Sequence, residues 1–202
     1  MPRFTIASLL ALILAVPAYA QEAGQWLVRV GATSINPDSD NGTLFIPTAV
    51  DVDVDDAWGL TFNVSYFFTE RWAVELLAAA PYNHDFELKG TGISGETDHL
   101  PPTLSVQYHF PVGERITPYV GLGVNWTIFF DEDLNVPVNL ELDDSVGVAA
   151  QLGMDVDLNE NWFMNVDLRY IKIESDAEVA GVDVGTVEIN PWLFGVNVGY
   201  RF

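Results

Sequence analysis

The chain has 202 residues, no cysteine, and 29 acidic against 8 basic side chains, for a formal charge of −21. That balance argues against a nucleic-acid partner, because phosphate binding needs a basic face. The missing cysteines remove any disulfide framework or thiol chemistry, and the length suits a single domain.

Residues 1–20 open with Arg3, continue through an apolar run from Ile6 to Val16 and close on Ala18-Tyr19-Ala20. A charged start, a greasy centre and a small-x-small end read as a secretory signal peptide. The run is short for an anchoring helix of ~20 residues. Downstream, eight segments alternate with a period of two, which is the period of a strand with two unlike faces. They cover 26–33, 58–68, 72–80, 100–110, 116–128, 145–157, 162–170 and 192–202. Bulky apolar residues hold the even positions and small or polar residues most of the odd ones. Connections around 69–71, 111–115 and 159–161 are tight. Those at 37–56, 83–96, 130–143 and 175–187 are longer and are expected to be polar loops.

An even number of strands joined alternately by short and long connections fits a barrel closed by up-and-down hairpins, with both termini on one side. Aromatic residues gather toward strand ends, namely Trp26, Trp58, Phe68, Trp72, Phe110, Trp126, Trp162, Trp192, Tyr200 and Phe202. Amphipathic rings favour the headgroup level of a bilayer. The alternative is a soluble sandwich that buries one face of each strand. The signal peptide and the terminal Phe202 favour the first reading. The expected fold is therefore all-β, an eight-stranded antiparallel up-and-down transmembrane β-barrel over residues 21–202 in the bacterial outer membrane.

In that arrangement Arg29, Arg169 and Arg201 face the lumen beside Glu75, Asp155, Asp157 and Asp167. Isolated charges are costly in so narrow a space, so pairing into a polar plug is expected. Leu27, Leu77, Ala79, Ile171 and Ile173 also point inward and suit a dry constriction or an apolar ligand. The acids between strands include Asp51, Asp53, Asp55, Asp56, Asp131, Glu132, Asp133, Asp143 and Asp144. They read either as solvated loops or as groups sharing divalent cations with lipopolysaccharide phosphates. Asp38-Ser39-Asp40-Asn41-Gly42 lacks the later ligands and closing Glu of a calcium loop. The sequence names no metal site and no cofactor.

Four stretches resemble the OmpW family of small outer-membrane barrels, and they keep that family's order. They are Val74-Glu75-Leu76-Leu77-Ala78-Ala79-Ala80-Pro81, His99-Leu100-Pro101-Pro102-Thr103, the run from Pro118-Tyr119-Val120-Gly121 to Phe129-Phe130, and Asn190-Pro191-Trp192 leading to Gly199-Tyr200-Arg201-Phe202. The resemblance implies a role in moving small hydrophobic solutes inward, with sideways exit through the barrel wall into the membrane. It also implies outer-membrane lipids, lipopolysaccharide and the outer-membrane insertion machinery as partners, the last reading Tyr200 and Phe202. It places the family's lumen-closing leucine on Leu77. The facing position on the seventh strand, aromatic in the family, is Arg169 here, which suggests a charged latch to Glu75. Pro101-Pro102 removes ladder donors and marks either a weakly paired exit or simply the start of a strand.

Two rivals remain open. An enzyme would need a nucleophile and base among residues such as His84, His99, His109 and Ser105, and no such set is legible. A structural or receptor barrel would use the acidic loops to contact lipopolysaccharide, phage or host.

Overall fold

The structure is a computed structural model that describes residues 21–202. The signal peptide assigned to residues 1–20 lies outside the described residues. Fifteen strands occupy the described residues. Eight of them close an antiparallel barrel: β1 (Trp26–Asn36), β4 (Ala57–Phe67), β5 (Trp72–Ala79), β8 (Thr103–His109), β9 (Ile116–Leu134), β11 (Ser145–Asp157), β12 (Trp162–Ile171) and β15 (Trp192–Arg201). Each pairs with the next in chain order, and β15 returns to β1 from Leu27↔Arg201 to Asn36↔Trp192.

Closure forces one face of every strand outward, and the period of two makes that face apolar. Leu60, Leu122, Val148 and Leu152 are all more than half exposed. Cross-strand aromatic pairs rim this band at the short-turn end: Trp26–Tyr66 at 4.8 Å, Trp72–Tyr108 at 4.8 Å and Trp162–Tyr200 at 4.9 Å between ring centroids. Trp58, Trp126 and Trp192 stand exposed at the other rim. From Trp26 to Ser34, opposite Trp58, the strand runs about 26 Å, or roughly 20 Å of height once tilted by ~40°, close to the apolar band of such barrels.

The long connections differ from expectation. They continue the wall as β-hairpins: β2 (Thr43–Phe45) with β3 (Ala49–Val54), β6 (Tyr82–Leu88) with β7 (Ile93–Leu100), and β10 (Leu140–Leu142) with β13 (Glu174–Val179) and β14 (Val182–Glu188). Their inner faces are apolar, with Leu44, Val52, Leu88, Leu140, Ala177 and Val187 all buried. The acids on these hairpins point outward: Asp51, Asp55, Asp85 and Glu87 are exposed. The segments are polar on one side only, because their inner faces cover one another and exclude water.

The junction between barrel and hairpins carries a change of parity. Along β5 the even residues Val74, Leu76 and Ala78 face lipid. Along β6 the even residues Tyr82, His84 and Leu88 face inward. The alternation slips by one residue around Pro81. No such slip separates β7 from β8, where Thr97, His99, Thr103 and Ser105 all point in.

Candidate functional site

The lumen is built in three layers. At the short-turn end, Leu27, Phe67, Ala73 and Phe163 form a small apolar floor. Inward rings fit in so narrow a barrel because their cross-strand partners are glycines. Gly199 lies opposite Phe163 and Gly153 opposite Tyr119, and a Cβ on either glycine would run into the ring.

Above the floor lies a charged layer. Arg29 grips Asp155 with two bonds (Nε–Oδ1 3.2 Å, Nη2–Oδ2 2.8 Å) and donates through Nη1 to Glu75 Oε2 (3.1 Å) and Ser65 Oγ (2.8 Å). Glu75 also accepts from Arg169 Nη2 at 3.1 Å and from Gln151 Nε2 at 3.1 Å. Arg169 Nε lies 3.7 Å from Asp167, and Arg201 reaches Asp157 at 2.6 Å. Asn165 and Asn197 link Asp155 and Asp167 into the same network. Every charged member is at most 7% exposed. Buried pairs of this kind hold only while each charge keeps its partner. The sequence-predicted residues Arg29, Glu75, Asp155, Asp167 and Arg169 are thus brought into one cluster, with Arg201 and Asp157 as a second pair nearer the floor. Leu77 points inward at 2% exposure, between Glu75 below and Ala79 above, and belongs to neither apolar cluster.

The third layer is an apolar funnel formed by the hairpins. It encloses a cavity of about 110 Å³ whose lining is aliphatic or aromatic except for His84, Thr97 and His99 on β6 and β7. Sequence reasoning assigned these segments to polar loops and so missed the funnel. The signal was present in Val50, Val52 and Val54 alternating with Asp51, Asp53 and Asp55, the same period of two that marked the membrane strands.

A seam opens where funnel and charged layer meet. Pairing of β5 with β8 ends at Leu77↔Thr103, and pairing of β6 with β7 begins at Tyr82↔His99. The interval holds Pro81 on one side and Pro101 and Pro102 on the other, none of which can donate to a ladder. On the other side of β5 the ladder to β4 continues, with Ala80 N–H donating to Leu60 O at 3.1 Å. On the far side the ladder persists, with Trp126 N–H donating to Pro102 O at 3.0 Å. Pro101 and Pro102 therefore interrupt a continuous strand direction, and β8 begins at Thr103, not at residue 100 as the sequence reading had it.

His109 and Ser105 both face inward. His109 Nε2 bonds Gln107 Oε1 at 3.1 Å and its ring stacks on Tyr119 at 4.8 Å. Phe202 lies 72% exposed at the lipid face, its ring 4.9 Å from Tyr200.

A lipid-facing barrel with a filled polar lumen and an apolar outer funnel is the architecture of a small outer-membrane β-barrel. The model of the OmpW family matches residues 22–202. Outer membrane protein W of Vibrio cholerae serotype O1 is 40% identical over 210 residues, spanning 96% of this chain and 96% of that protein. The crystal structure of the outer membrane protein OprG from Pseudomonas aeruginosa superposes with a TM-score of 0.82 at 32% identity, covering 92% of this chain and 99% of OprG. The dibenzothiophene metabolism operon protein PahQ of Pseudomonas aeruginosa is 28% identical over 199 residues, covering 94% of this chain and 93% of PahQ. The chain belongs to the OmpW family and is an outer-membrane protein. The short turns, by the rule for such barrels, face the periplasm and the funnel faces outward.

Proposed function

We propose that the barrel takes up small hydrophobic molecules through the outer funnel and releases them sideways at the proline seam into the membrane. One observation carries this reading: an apolar cavity sits above a buried charged layer, with packed side chains such as Tyr82, Ile171 and Leu193 between them, and in that interval the wall between β5 and β8 loses its ladder bonds. An apolar solute gains by leaving water for the funnel and meets a steep desolvation cost at Arg29, Glu75 and Arg169 below. The paired break between β5 and β8 offers the lower path. Leu77 and the Arg169–Glu75 pair then act as the floor of the conduit, with Arg201, Asp155 and Asp167 completing the plug against ions. The relative PahQ, named for a dibenzothiophene metabolism operon, fits the same class of solute. In this reading His109 is a packing residue of the lumen, its Nε2 engaged by Gln107 and its ring stacked on Tyr119. Tyr200 and Phe202, lying together at the lipid face, are assigned to recognition by the insertion machinery.

The test uses cells with an intact lipopolysaccharide leaflet that express the full chain, with n-octane uptake followed by its loss from the headspace. The chain should raise uptake, and replacing Pro81, Pro101 and Pro102 together with Val should lower it toward background, with no ion conductance in planar bilayers in either case. Unchanged uptake in the triple variant would overturn lateral release.

A receptor role has its own supporting feature, an outer-wall groove lined by Asp53, Asp55, Asp85, Glu87, Glu96 and Asp133. Trimming the hairpins does not separate the two readings, because the hairpins also form the funnel. Converting these carboxylates to amides does. A conduit keeps its octane uptake, whereas a receptor for cationic or cation-bridged partners loses binding.

A further inference from the structure

Two histidines stand in the funnel without a structural task that uses both their nitrogens. His84 on β6 and His99 on β7 are 1% and 2% exposed, and their rings stack at 5.0 Å with 17° between planes. Both line the apolar cavity. Burying an imidazole nitrogen without a partner is costly. Here the buried Nε2 of His84 and Nδ1 of His99 have no hydrogen-bond partner among the described residues.

The protonation of His84 is fixed by its other nitrogen. Nδ1 lies 2.8 Å from the backbone carbonyl oxygen of Asp55. A carbonyl only accepts, so Nδ1 carries the hydrogen and Nε2 keeps a bare lone pair, buried in the cavity wall. Nδ1 of His99 is held by no bond, so that nitrogen is free to carry an N–H. The wall of an otherwise apolar chamber thus holds an acceptor and a potential donor on stacked rings, both without a partner among the described residues.

We propose that His84 and His99 form a subsite for the hydroxyl group of a neutral amphiphile, an alcohol or phenol whose apolar body fills the funnel. This rests on the conduit reading and names the solute class it favours. The hydroxyl hydrogen is donated to His84 Nε2, and the hydroxyl oxygen accepts from His99 N–H. A plain hydrocarbon leaves both nitrogens unsatisfied. A carboxylate brings no hydrogen for His84 and finds no positive charge, because burial pushes the ring of His99 down to about 3 and that of His84 below its ordinary value. The aspartates around His84 (Asp55, Asp56 and Asp85) oppose that shift without outweighing burial. They also repel an anion arriving from outside.

The experiment uses the full chain in lipid nanodiscs, titrated with 1-decanol, n-decane and decanoate. Histidine ring ¹⁵N signals and the methyl signals of Leu44, Val52 and Leu140 are the reporters. Decanol should move the His84 Nε2 resonance as a new hydrogen bond does, while decane moves only the methyls. His99→Phe, which breaks no observed hydrogen bond, should weaken decanol about tenfold, roughly the worth of one hydrogen bond set against water, and leave decane unchanged. His99→Gln, which keeps a donor, should restore part of the loss. Each ligand is compared with itself across variants, so its own partition into lipid cancels. Equal weakening of decanol and decane, or decanoate binding as tightly as decanol, would overturn the hydroxyl subsite and leave the conduit standing. If no ligand moves the funnel methyls, both fall together.

Discussion

At membrane height the barrel wall is apolar outside and charged inside. Above the Trp58, Trp126 and Trp192 rim the same wall is reversed, with carboxylates outside and valine, leucine and isoleucine within. Strand β9 crosses the boundary in one piece. Val120, Leu122 and Val124 face lipid low down, whereas Phe129 is buried inside and Asp131 and Asp133 are exposed higher up. The difference teaches that a period of two announces two unlike faces but does not say which one is wet. Lipid decides in the lower region. In the upper region water surrounds the hairpins, and the funnel interior is the only dry place left.

The largest effect should come from breaking the lower region. Replacing Glu75 with Leu strips Arg29 of one carboxylate and leaves Arg169 with Asp167 alone at 3.7 Å. The barrel should lose about 3–5 kcal/mol of stability, the usual cost of orphaning a buried charge, read from urea unfolding in lipid. The double variant with Arg169→Leu should recover much of that, so the two losses should not add. Strict additivity would mean that the pair is not coupled.

A charge placed inside the upper region sharpens the contrast. Val52→Asp puts a carboxylate at a position only 3% exposed in the funnel. Hydrogen exchange should show the amides of β3 and β6 opening more easily by about 2 kcal/mol, while those of β12 and β15 stay protected, since the hairpins can open on their own. Equal loss of protection in the barrel would show that funnel and barrel are one cooperative unit. The smallest effect belongs to the outer face. Glu87, exposed and opposite Asp53, should tolerate Gln within about 0.5 kcal/mol.

The sequence made the membrane strands legible because lipid on one side and a polar lumen on the other impose unlike chemistry on alternate residues. It made the lumen charges legible for the same reason, since an arginine such as Arg169 at an odd position can only point in. It hid which carboxylate meets which arginine, because Glu75 and Arg169 meet across the lumen from strands that share no ladder. It also hid the funnel, because Asp51, Asp53 and Asp55 gave their segment the look of a loop. The His84–His99 stack was invisible for a different reason. It is a diagonal contact set by the register Tyr82↔His99 and His84↔Thr97, and register across a hairpin cannot be read from either strand alone.

The slip in alternation at Pro81 makes the funnel a matter of odd and even. Removing one residue there would present Asn83, Asp85 and Glu87 to the cavity and turn Tyr82, His84 and Leu88 to water, reversing an entire surface without altering a single side chain. Removing two would restore the sense of every residue beyond. Length change at this junction is therefore governed by parity before it is governed by size, and a chain drifting through insertions and deletions can pass here only in even steps.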